Sequence, residues 1–107
     1  RDDGLNEPLA RRVDEVRRML DDMNELFGEQ GYQDEVRRCV DKRGVMKIVR
    51  SVHYQVLPKY GFEASERGTM AMTHFISSVQ LLPDVQEKVE RSMRLSFISH
   101  MGHLPSA

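Results

Sequence analysis

The chain has no tryptophan, a single cysteine and no long apolar run, and each shortage removes a class of explanation. One cysteine, Cys39, excludes an intrachain disulfide and fits a reducing compartment, so an intracellular, cytoplasmic setting is expected. No stretch approaches the ~20 apolar residues that span a bilayer, so no membrane span is expected. Aromatic residues are only 7% of the 107, while methionines number seven, which predicts an aliphatic and adaptable core. Net charge is −1 at pH 7, so no overall field draws the chain to nucleic acid or an anionic membrane. There is no phosphate-cradling glycine loop, calcium loop, zinc-finger spacing or serine elbow. Neither an enzyme nor a cofactor is therefore expected. The chain starts at Arg1 rather than Met, which fits a trimmed boundary and leaves room for a lost targeting segment.

What is present is helical. Hydrophobic residues are 39% and charged residues 31%, enough apolar surface for one domain without staples. Leu9, Val13, Val16, Leu20, Met23 and Phe27 recur at steps of three and four, the stripe of an amphipathic helix over 7–27. Asn6 suits its N-cap, with Glu7 and Pro8 in the first turn and Gly28 and Gly31 beyond its end. A second helix is predicted over 33–58, with Val36, Val40, Val45, Ile48, Val49, Val52 and Val56 on its apolar side. Gly44 inside it marks a kink, a close contact or a break. Pro58 and Gly61 stop that helix, Gly61 by left-handed backbone, and Phe62 is placed to fold back on its last turn.

Ser65 caps a third helix over 66–81, with Glu66 at its positive end. Pro83 and Asp84 open a fourth over 83–100. The expected fold is all-α: one bundle-like domain of four helices, with short flexible ends at about 1–5 and 102–107. Val13, Val16, Leu20, Ile48, Val49, Val52, Phe75, Ile76, Val79, Val89, Met93 and Phe97 are its predicted core.

The stretch from Val45 to Phe97 resembles the eukaryotic protein C-ten family, a small helical family. The resemblance rests on a Val-rich helix leading to Tyr60-Gly61-Phe62, on Gly68, on Pro83-Asp84-Val85, and on the Leu95 and Phe97 ending. It covers about half the chain and needs a one-residue gap on each side of Pro83. Pro58 departs from the family pattern, and the first helix has no counterpart. The resemblance implies a helical fold and a eukaryotic source. It carries over no enzymatic activity and no cofactor.

Several residues are candidates for chemistry. His53 and His74 flank the corner formed by Tyr60, Gly61 and Phe62, and their convergence would make a ligand or catalytic site. A surface or interface role is the commoner fate of a helical histidine. His100 and His103 have a permitted ligand spacing, but two ligands make a poor metal site, and a solvated tail explains them. Cys39 follows Arg37 and Arg38, which would lower its pKa, although a half-buried structural thiol is the commoner case. Arg38, Lys42 and Arg50 lie in a basic stretch with Arg37, Arg43 and Lys47, which suits calmodulin or an acidic surface. The blander expectation is neutralisation by the acidic side of the first helix.

The leading functional expectation is a non-enzymatic protein–protein interaction module or assembly subunit with protein partners. The alternatives are a small-ligand site at the 53–74 corner and the basic-helix element. A homodimer is expected if the narrow stripe of the first helix packs across a symmetric interface.

Overall fold

Helix α1 (Glu7–Phe27) is the element on which the others assemble. The computed structural model describes residues 7–106, so the predicted Asn6 cap and the end at 1–5 lie outside the described residues. Val13, Val16, Leu20, Met23 and Phe27 are buried as their spacing predicts, and Met19 beside the stripe is buried with them. Two helices cover that stripe. Helix α5 (Pro83–Leu95) lies along it in parallel, because the contacts Arg17–Asp84 and Asp21–Lys88 advance together along both helices. Helix α3 (Lys42–Val56) returns antiparallel, with His53 against Phe27 and the segment beyond its end reaching Asp22. The stripe is therefore consumed inside the chain and offers no symmetric interface.

The described residues are all-helical, but the four predicted helices become five, with a 3-10 helix at Leu57–Tyr60 and another at Ile98–His103. The predicted 33–58 helix is two. Helix α2 (Gln30–Arg37) ends, residues 38–41 turn, and α3 begins at Lys42. The Asp41 carboxylate accepts the Gly44 N–H at 2.8 Å, and the Pro105 carbonyl accepts the Lys42 N–H at 2.8 Å. Two donors of a new helix start are thus satisfied, one locally and one by the far end of the chain. Gly44 marks the cap of this break rather than a kink.

Helix α4 (Glu66–Ser77) stops short of the predicted residue 81. Thr73, Ser77 and Ser78 donate their hydroxyls back to carbonyls of their own helix, the competition that weakens a helix end. Helix α5 stops at Leu95 rather than 100, because Phe97 takes a left-handed φ of 77°. The carbonyls exposed by that stop are taken by α2: Gln33 donates to Leu95 O at 2.8 Å and Tyr32 donates to Ser96 O at 2.8 Å. Gln33 also donates to Phe27 O at 2.6 Å, so one amide ties the ends of α1 and α5 together.

The corner at Gly61 forms as the sequence predicts. Gly61 has φ 83°, its N–H donates to Pro58 O, and the Phe62 N–H donates to Leu57 O at 3.1 Å. Phe62 is half-buried, edge-on to Phe75 of α4 at 5.7 Å between ring centres. Phe75 is half-buried too, with the Arg12 guanidinium 5.6 Å above its ring. Val89 and Phe97 are likewise half-buried, and Met93, predicted as core, is 41% exposed. The reason is α4. Its backbone comes close to the 57–60 turn but only sparsely to α1, α3 and α5, so the α5 stripe is covered at Val85 and progressively uncovered toward Met93.

Candidate functional site

Tyr60 decides whether the corner is a recognition surface or a joint. Its hydroxyl donates to the Asp22 carboxylate at 2.5 Å, and the Lys59 ammonium lies 3.9 Å from the same carboxylate. Burial, then the bond to Asp22 and its charge, push the Tyr60 hydroxyl up to about 12. Tyr60 therefore ties the end of α3 to the middle of α1. Tyr60→Phe should lower stability by about 1 kcal/mol, the value of one such bond. Urea unfolding midpoints check this. An unchanged midpoint together with lost partner binding would make the corner a recognition site instead.

The two histidines of the corner do not converge. His74 is exposed on the outer side of α4, in a shallow groove with Thr69, Met70, Thr73 and Ser77. His53 is half-buried and points into a separate cavity between α1, α3, α4 and α5. Its ring stands edge-on to Phe27 at 5.9 Å, and burial lowers its pKa, so the imidazole is neutral at pH 7. His100 and His103 lie exposed in the last 3-10 helix, with the His100 ring against Phe97 at 4.9 Å. Among the described residues, no group of three His, Cys, Asp or Glu side chains is arranged to hold a metal ion.

Cys39 is half-buried at the α2–α3 turn, with its thiol 3.6 Å from Glu35 O. Its pKa is raised rather than lowered: burial, Glu35 and Asp41 outweigh Arg38. The thiol is therefore held protonated, the opposite of an activated nucleophile. The basic residues are not neutralised by α1 as expected. Arg50 pairs with Glu66 of α4 at 3.6 Å, and Asp21 and Asp22 of α1 are engaged by Lys88 and Lys59. Among the described residues, no ion pair reaches Arg37, Arg38, Lys42, Arg43 or Lys47. Val40, 76% exposed, sits among them. The helix break at 38–41 divides these cations between two helices and a turn, so they do not form one continuous helical face.

A polar seam joins α1 to α5. Arg17 holds Asp84 with two bonds, at 2.6 and 3.1 Å, and this contact lowers the Asp84 pKa. Asn24 is buried, donates to Lys88 O at 3.2 Å, and among the described residues finds no partner for its own Oδ1. The adjoining cleft of about 410 Å3 is lined by Asp21, Glu25, Asp84 and Glu87 with Lys88 and Arg91. Arg17 with Asp84 and Lys88 with Asp21 bridge the two helices, which makes the seam a joint between them.

One surface has no counterpart in the sequence expectations. Residues 69–83 contain no Asp, Glu, Lys or Arg, although nearly a third of the whole chain is charged. Half of that stretch faces outward. Met70 is 73% exposed on α4 beside His74 and Ser77, and Leu81 is 95% exposed in the turn that follows α4. The charge gap was readable in the sequence. That its apolar members face solvent follows only from how α4 and the turn after it are oriented.

No family model matches the chain, and no curated protein or solved structure matches it at a significant level. Among the described residues, no helix is long and apolar enough to cross a membrane.

Proposed function

We propose that the chain is a non-enzymatic helical interaction module that meets a protein partner through the outer side of α4, and that a second copy of the chain is one such partner. The observation that carries this reading is the uncharged stretch at 69–83, with Met70 and Leu81 standing in solvent. Depletion of charge with exposed Met and apolar side chains is the composition of an interface centre. A surface without charge also meets its own copy in a two-fold contact with no like-charge repulsion. Helix α1 has no part in this contact, since its stripe is buried. The likeness of residues 45–97 to the protein C-ten family belongs to the same reading and adds no chemistry to it. A cytoplasmic site of action rests on the lone cysteine.

The test is sedimentation velocity at micromolar concentration on the wild type and on a Met70→Glu, Leu81→Glu double variant. The wild type is expected to sediment as a dimer and the variant as a monomer with an unchanged thermal midpoint. A wild type that stays monomeric, or a variant that stays dimeric, overturns the α4 contact. A second reading, an acidic partner for Arg38, Lys42 and Arg50, is supported by the first two, for which no ion pair forms among the described residues. It is weakened by Arg50, which is engaged by Glu66.

A further inference from the structure

The cavity beneath α4 has a composition unlike the rest of the molecule. It measures about 210 Å3, and no charged side chain lines it. Met23, Met72, Ile76, Val89 and Met93 supply apolar wall from three helices. Methionine side chains are flexible and polarizable, and they re-pack around flat rings. The hydroxyls of Thr73 and Ser77 also reach the lining, but each donates to its own helix at 2.9 Å. Gln80, Ser92 and His53 complete the polar lining. His53 is half-buried there, and a neutral imidazole carries one nitrogen able to accept a hydrogen bond from a ligand.

We propose that this cavity binds a small uncharged amphiphile: an aromatic molecule of one ring or two fused rings, of phenol or indole size, whose hydroxyl or N–H donates to the His53 imidazole. The size fits, since an apolar cavity of about 150 Å3 is enough to hold benzene. The charge fits as well. A neutral imidazole offers an acceptor nitrogen, and a ligand carboxylate would be desolvated against Met and Ile with no cation to meet it. Helix α4 is the wall that admits the ligand, because its backbone stands off from α1, α3 and α5. The binding does not depend on the outer side of α4 meeting a partner.

The experiment is a titration of phenol into protein labelled at its methionine methyls and histidine rings, followed by NMR, with toluene and benzoate as companions. Saturable shifts are expected at Met23, Met72, Met93 and His53, with benzoate at least tenfold weaker than phenol. Ile76→Phe fills the cavity and should abolish the phenol shifts. His53→Phe keeps the shape but removes the acceptor, and should weaken phenol about tenfold while leaving toluene unchanged. That second variant, and the benzoate comparison on the wild type, decide the matter even where Ile76→Phe does not fold. The proposal is overturned by unsaturable shifts, by shifts placed elsewhere, by equal binding of benzoate, or by phenol binding that survives both variants.

Discussion

Gly68→Ala will destabilise the protein by at least about 3 kcal/mol, the upper range of overpacking, although in an open helix the same change is favourable. The sign is the informative part. Gly68 sits in the first turn of α4, where alanine has the better helix propensity by about 1 kcal/mol. Yet Gly68 is buried against the strand of chain that leads from the corner. A methyl group there would lie 1.7 Å from the Glu63 carbonyl oxygen and 2.6 Å from the carbon that bears it. Both obstacles are backbone, so relief requires moving residues 62–65 or the start of α4. Either movement disturbs the Ser65 cap, whose hydroxyl accepts the Gly68 N–H at 3.1 Å and itself donates to Glu63. It also loosens the Phe62–Phe75 edge contact that seats α4. Urea unfolding of the variant should give a clearly lower midpoint. A higher midpoint would mean that the close approach is absent and that propensity alone governs the site.

Phe27→Ala is expected to cost about 3–5 kcal/mol, the range for truncating a fully buried aromatic. Phe27 is 0% exposed and occupies the point where α1, α2 and α3 meet. Its ring is edge-on to Tyr32 at 5.2 Å and to His53 at 5.9 Å. Tyr32, which lies against the ring, is fixed by its bond to Ser96 O, and this limits collapse into the cavity left behind. For a domain of this size the loss corresponds to a fall in thermal midpoint of more than roughly 10 °C. Calorimetry would measure it, with Met93→Ala as the companion. Met93 belongs to the same predicted core but is 41% exposed, so its truncation should cost far less. Equal costs for the two variants would mean that the uncovered end of α5 closes in solution.

Both predictions reach past what periodicity could supply, and they mark where local information ended. The stripe of α1, the Ser65 cap, the all-helical class and the left-handed stop at Gly61 were legible in the sequence. Each depends on residues within a turn or two of one another: spacing by three and four, a hydroxyl three residues before the N–H it accepts, a glycine where a side chain would clash. Two other boundaries needed partners far along the chain. Residues 38–41 break the second helix because Asp41 caps a new start that Pro105 completes. Helix α5 ends at Leu95 because Gln33 and Tyr32, more than sixty residues earlier, take its last carbonyls. The same holds for the candidate sites. The corner tyrosine was conspicuous, but its hydroxyl belongs to Asp22 on another helix. His53 and His74 flanked the corner in sequence, yet α3 places the first on an uncharged cavity and α4 places the second on the outside. Local sequence specified the helical class, the Gly61 stop and which side of most helices is apolar, because those are properties of neighbours. Packing between distant segments set where α2 and α5 stop, which apolar residues stay uncovered, and where a cavity remains. The last two depend on how closely α4 approaches the other helices.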